Sequence, residues 1–327
     1  MRPLAHCINL RSAWGGGLVV STILRSLREG YEPAPFFDRH SGPAYVITGS
    51  AAATGAILFA LRGLSFDPRL ALPIAWAGMA LVSGWLARRA NFPKIATALE
   101  STALVYGQAF AFMFVIYALM TFNVPLADRQ LAAADHGLSF YWPDLAEPFR
   151  HSAALLGALK IVYMSFNWEP AFVTICLSAA GLSLRSWSFV AAAAGSLAVA
   201  SIIGCLVLPA DGAAVYYHIR PWPELAGLWS QSHVIHWLRS GRHYIDESMI
   251  TGLISFPSYH GCSAVLYVWA IWPLRYLRWP VVLLNVGMTF TAIVGGEHYL
   301  IDIIGGVILG WIAVRLTSCY VGQPNSV

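Results

Sequence analysis

Ten histidines are spread through this chain of 327 residues, and two of them stand where they could do chemistry. His260 lies in the run Phe256-Pro257-Ser258-Tyr259-His260-Gly261-Cys262-Ser263-Ala264. His298 lies in Gly295-Gly296-Glu297-His298-Tyr299-Leu300-Ile301-Asp302-Ile303-Ile304-Gly305-Gly306. His298 and Asp302 are spaced i, i+4, so on a helix they share a face and can touch. A carboxylate beside an imidazole fixes its tautomer and stabilises the imidazolium, which equips it for nucleophilic or acid–base catalysis. Ser258, just ahead of His260, can cap a helix or offer a hydroxyl to a ligand. The flanking glycines 295, 296, 305 and 306 permit a tight entry and close helix packing.

The elements that must position these groups are membrane helices. Hydrophobic residues make up 57% of the chain and charged residues 11%, against roughly 25% charged in a soluble domain. Mean hydropathy is +0.61. Thirteen Trp and fourteen Tyr suit the membrane interface. A bilayer-crossing helix needs about 20 apolar residues, and such runs lie near 44–63, 70–87, 99–122, 187–208, 257–274, 279–295 and 299–317. The stretch 151–184 breaks at Asn167-Trp168-Glu169-Pro170, because proline interrupts a helix. It reads as an interfacial or re-entrant piece followed by one span starting near 167. Open sheet is excluded in lipid, where its edge groups go unsatisfied.

Eight spans place both termini on one side. Arg88, Arg89 and Lys94, then Arg185, then Arg275 and Arg278 sit in compact turns that mark the cytoplasm. The long loops 123–150 and 209–256, rich in Asp, Glu, Trp and Pro, fall outside or in the periplasm. Two spans separate His260 from His298, so both return to that outer face. Residues 1–43, with arginines around a glycine-interrupted apolar stretch, read as a cytoplasmic amphipathic segment. Residues 44–122 hold three N-terminal helices, and 123–327 the catalytic core. The five cysteines, Cys7, Cys176, Cys205, Cys262 and Cys319, form no CxxC pair and read as buried free thiols. Trp142, Trp222 and Trp229 read as interface anchors.

The pair of motifs, with two spans between them, resembles the type 2 phosphatidic acid phosphatase superfamily. The wording FPSYHGCSA and HYLIDIIGG is most similar to its inositol phosphorylceramide synthase branch. The strong likeness covers 256–306, with a weaker one upstream through Asp128, Asp135 and Leu208-Pro209-Ala210. The resemblance implies that His298 attacks phosphorus and becomes a phosphohistidine. It also implies that Asp302 orients and charge-stabilises His298, and that His260 protonates the leaving oxygen and then activates the acceptor. Ser258 would hold phosphoryl oxygens, with no metal or other cofactor. Phosphoryl transfer needs in-line positioning and donors for spread negative charge, and one neutral plus one protonated imidazole supplies nucleophile and acid.

Two departures bear on the substrate. Where the superfamily has a lysine and an arginine, this chain has Ala213 and Ala292, although Arg220-Pro221 is kept. Arg220, Arg239 and Arg242 in the outer loop are the candidates to neutralise phosphate, arginine being suited to bidentate contact. Asp128 and Asp135, seven residues apart, are candidates for a polyol headgroup or for capping a helix. The expected molecule is an all-α bundle of about eight transmembrane helices. It acts on membrane phospholipid and lipid-alcohol substrates, without nucleic acid. Either it moves a phospho-headgroup such as phosphoinositol from a glycerophospholipid to a lipid alcohol such as ceramide, or it hydrolyses a lipid phosphate or isoprenyl diphosphate. A non-catalytic lipid-binding or transport protein is the reading from another class.

Overall fold

The computed structural model describes residues 40–149, 152–219 and 230–321. Residues 1–39, with Cys7 and nearly all of the expected surface segment, lie outside that set, as do Arg220, Trp222 and Trp229.

The described chain is helical almost throughout. Helices α1 (Gly42–Arg62), α2 (Ala71–Arg89) and α3 (Pro93–Met120) come first. Short helices α4 (Asp128–Gly137) and α5 (Trp142–Ala146) follow, then α6 (Ala153–Tyr163), α7 (Ser165–Ala179) and α8 (Ser183–Leu206). After α9 (Ala213–Tyr216) and α10 (Ser230–Arg239) the chain ends in α11 (Tyr259–Ile271), α12 (Arg278–Val294) and α13 (Leu300–Val321). Among the described residues five helices are long and apolar enough to cross a membrane: Gly42–Arg62, Pro68–Arg89, Pro93–Met120, Ser183–Leu206 and Leu300–Cys319. The other three regions expected to span are also helical but shorter, at 15 residues in α7, 13 in α11 and 17 in α12. The chain is an all-α, multi-pass membrane protein.

Burial separates inner from outer helices. In α3 67% of the spanning window is buried within the protein, in α2 only 11%. Helix α2 exposes Leu72, Trp76 and Val82, an apolar surface of the kind a lipid-facing helix presents. Helices α1 and α2 pack on α3, α3 packs on α7 and α8, and α11 is enclosed by α7, α8, α12 and α13. A polar clamp joins α7 to α12 inside this ring: Asn285 Nδ2 donates to Glu169 Oε1 at 2.8 Å, with both side chains buried.

The break in 151–184 falls at Met164, between α6 and α7, earlier than the sequence suggested. Pro170 lies inside α7. There it is the sixth residue of the helix, so its missing N–H costs one early hydrogen bond and does not stop the helix. Helix α6 packs on α12 and α7 on α3, so the two continue as separate pieces.

Two ends of the bundle are defined by contacts. A parallel pair of two-residue strands, β1 (Ser65–Phe66) and β2 (Tyr244–Ile245), ties the turn after α1 to the loop before α11. At the opposite end Arg185 Nε donates to the Ala270 carbonyl at 3.0 Å, satisfying the end of α11. The cysteines are less uniform than expected: Cys205 and Cys262 are buried, Cys176 half-buried and Cys319 exposed, all as free thiols.

Candidate active site

The site forms where α11 and α13 begin, at the strand-bearing end of the bundle. Ser258 caps α11, its Oγ accepting from Gly261 N at 3.3 Å. Its backbone N–H donates to the Asp302 carbonyl on α13 at 2.9 Å. This approach of two backbones is possible because the facing residues lack side chains. A Cβ on Gly306 would come within 2.1 Å of the Ser258 carbonyl oxygen, and one on Gly310 within 2.7 Å of that of Cys262. On the other side, a Cβ on Gly261 would lie 2.8 Å from the Ile303 carbonyl. Small residues at such a crossing let membrane helices close on each other.

This crossing brings His260, His298, Ser258 and Asp302 together. His260 Nδ1 lies 3.1 Å from His298 Nε2, and Ser258 Oγ lies 3.3 Å from the same nitrogen. His298 Nδ1 is 3.1 Å from the Ser255 carbonyl. A carbonyl only accepts, so Nδ1 carries the hydrogen, and the Nε2 lone pair faces His260 and Ser258. Asp302 Oδ2 stands 3.6 Å from His298 Nδ1, beyond hydrogen-bond reach but close enough to stabilise a charged imidazole. The orienting bond thus comes from Ser255, not from Asp302 as the i, i+4 spacing suggested. Asp302 Oδ2 is itself held by Ser255 Oγ at 2.6 Å and by Tyr299 N–H at 2.9 Å.

Several neighbours carried no signal in the sequence. Ser255 is one, although it sits immediately before the first motif. Tyr163 and Phe166, either side of the α6–α7 break, pack their rings on His260 with centroids 4.7 and 4.5 Å away. Tyr163 also hydrogen-bonds the Glu297 carboxyl. Burial pushes that carboxyl up to about 7.

The turn that carries His298 is anchored from four sides. Trp142 Nε1 donates to the Ile293 carbonyl at 2.7 Å, and Ala214 N to that of Gly296 at 3.0 Å. Trp142 is fully buried, so it braces this turn and is not an interface anchor. Gly296 has φ of +80°, and a Cβ there would meet Ala214 Cβ at 2.4 Å and the Trp142 ring at 2.7 Å. Asp135 accepts from Leu300 N at 2.9 Å and Ile301 N at 2.8 Å, capping α13 from α4. Asp128 accepts from Asp211 N and Gly212 N and from the Tyr299 hydroxyl, the last at 2.9 Å. Both carboxylates are therefore occupied by backbone and tyrosine donors. These contacts support the capping alternative for Asp135 and hold Asp128 against the 211–212 loop and Tyr299.

The arginine candidates separate. Arg242 is exposed, with its guanidinium 4.2 Å over the Trp237 ring. Arg239 turns inward. Its Nε and Nη2 are buried without a hydrogen-bond partner, and burial lowers its pKa against the pull of Asp211 and Asp128. Arg220 lies outside the described residues. At the two positions where a cation was missed, Ala213 and Ala292 are fully buried in an apolar cluster with Trp142 and Tyr299.

A pair of facing imidazoles, one with its nucleophilic nitrogen fixed by a carbonyl, at the end of a helical membrane bundle defines a class: membrane enzymes of the phosphatase or phosphotransferase type. The chain belongs to the PAP2 superfamily, which it matches over residues 129–316, more than half its length. No curated protein and no solved structure matches it.

Proposed function

We propose that the protein transfers a phospho-headgroup, of the phosphoinositol type, from a glycerophospholipid to a lipid alcohol such as ceramide. The observation that carries the chemistry is the fixed tautomer of His298, whose Nε2 lone pair faces His260 across 3.1 Å. His298 Nε2 forms the N–P bond as the P–O bond to the diacylglycerol breaks, and His260 gives its proton to that leaving oxygen. His260 then takes the proton of the acceptor hydroxyl, whose oxygen attacks phosphorus and releases His298. Asp302 stabilises the charged imidazole of the intermediate, and Ser258 Oγ donates to a phosphoryl oxygen.

Nucleophile, phosphorus, leaving oxygen and acid in line need about 6 Å between the two nitrogens. Substrate entry therefore moves the His260 ring away from His298, against Tyr163 and Phe166. Arg239 is the cation best suited to offset phosphate charge among the described arginines of the outer loops, because two of its guanidinium nitrogens are buried without a hydrogen-bond partner and lie in the field of Asp211 and Asp128. The basic turns at the far end of the bundle support a site facing the periplasm, lumen or outer leaflet, with eight spans and both termini cytoplasmic.

Hydrolysis of a lipid phosphate or isoprenyl diphosphate uses the same first step, with water as acceptor. The buried Ala213 and Ala292 favour the transferase, since a diester brings less charge to neutralise. The test is purified protein with a panel of phospholipids and lipid phosphates, with and without ceramide, read by mass spectrometry. A phosphosphingolipid formed only with ceramide establishes transfer. Free phosphate formed regardless of added alcohol establishes hydrolysis. His298→Ala abolishes either product, and undiminished activity in that variant refutes the phosphohistidine.

A further inference from the structure

Glu297 is the one acidic side chain carried by the turn between α12 and the first turn of α13, and it directly precedes His298. Its carboxyl is hydrogen-bonded to the Tyr163 hydroxyl, and the Tyr163 ring lies 4.7 Å from the His260 ring. Glu297, Tyr163, His260 and His298 thus form a continuous run of contacts that ends at the facing imidazoles. The backbone of Glu297 has little freedom to withdraw. Its carbonyl lies 3.2 Å from Ser255 Oγ, and a Cβ on Gly212 would stand 2.9 Å from that same oxygen. The carboxyl lies close enough to His298 to interact with the charge of that ring.

Resting on the phosphoester reading of this site, we propose that Glu297 is a specificity-determining residue: it rejects dianionic phosphate monoesters and admits phosphodiesters of single charge. The physical reason is charge. A lipid monoester carries close to two negative charges above about pH 7, and a diester carries one. At a protein-like dielectric, a carboxylate about 5 Å from a phosphoryl group would act on that extra charge with an energy of order a hundredfold in kcat/KM. Burial holds the Glu297 carboxyl near 7, so it is ionised under mildly alkaline conditions. Tyr163 fixes its direction, and the apolar cluster holding Ala213 and Ala292 offers no compensating charge on that side.

The experiment compares full-length wild type with Glu297→Gln in detergent at about pH 8.5, using phosphatidate as monoester and phosphatidylinositol as diester. The expected result is a rise of at least about tenfold in the monoester-to-diester ratio of kcat/KM in the variant. An unchanged ratio overturns the proposal. Equilibrium binding of a non-hydrolysable phosphonate analogue of phosphatidate, and of its monoanionic methyl ester, is measured in parallel. If neither lipid is turned over but Glu297→Gln selectively tightens the dianionic analogue, the phosphoester-transfer reading fails while the charge selection stands. If Glu297→Gln moves both analogues by the same factor, the selection fails. Tyr163→Phe frees the carboxyl from its partner and shifts the same ratio less than Glu297→Gln, whereas loss of folding alone lowers both substrates together.

Discussion

Gly306→Ala tests whether the approach of α11 and α13 sets the chemistry. The added Cβ would lie 2.1 Å from the Ser258 carbonyl oxygen, where ordinary contact begins at 3.4 Å. The difference, 3.4 minus 2.1, requires a separation of about 1.3 Å at this level. The obstacle is backbone at the cap of α11, so no side-chain rotation relieves it. The Ser258 N–H to Asp302 carbonyl bond, now 2.9 Å, would open to about 4 Å and be lost, and His298, one turn above Asp302, would be displaced from Ser258 and His260. A displacement near 1 Å costs roughly a hundredfold in rate. Overpacking of this kind costs about 1–3 kcal/mol in stability. The assay is turnover at saturating lipid together with thermal melting, against Gly107→Ala, where a Cβ meets nothing within 4 Å. The control should hold wild-type rate and gain slightly in stability, as Ala favours helix. A Gly306→Ala protein with wild-type turnover would show that the backbone contact is not what places the histidines.

Three further outcomes follow from the geometry. Asp135→Ala removes two charge-assisted caps on α13 and should cost about 1.5–3 kcal/mol, seen as a lower melting temperature with kcat reduced more than KM is raised; a raised KM at unchanged melting temperature would restore Asp135 to the headgroup. Asn285→Leu leaves Glu169 buried without its partner and should destabilise by about 1–3 kcal/mol, whereas the double variant Glu169→Leu/Asn285→Leu should recover most of the loss; equal loss in the double variant removes the clamp argument. Glu297 has its carboxyl raised from 4.5 to about 7, so the folded state holds a proton that the unfolded chain gives up. Its contribution is fully present below about 4.5 and is lost as pH rises through about 7. Wild-type melting temperature should therefore fall across that window relative to Glu297→Gln, and parallel curves would contradict the shift.

Composition and short-range spacing suffice to identify the solvent and the chemistry-bearing residues. A chain with 11% charged residues and repeated apolar runs has lipid around it, and lipid requires its backbone to be helical. The i, i+4 spacing of His298 and Asp302 and the two helices after His260 made a shared site legible, because both rest on short-range periodicity. The break at Met164 was not legible, because Pro170 is tolerated in the opening turns of a helix whose position is set by packing on α3. Nor was the buried place of Trp142, since indole suits an interface and a core equally. Tertiary structure alone decided which partner orients His298. Ser255 lies 43 residues away in sequence, and its carbonyl reaches Nδ1 only because Gly306, Gly310 and Gly261 let two helices touch. The same holds for Asp128 and Asp135. Their spacing fits a ligand or a cap, and only the arrival of α13 against α4 makes Asp135 an acceptor for its first turn and Asp128 an acceptor for the Tyr299 hydroxyl just before it. Contacts distant in the chain leave no periodic trace, because they depend on how closely helices approach, and that is fixed by side chains the glycines lack.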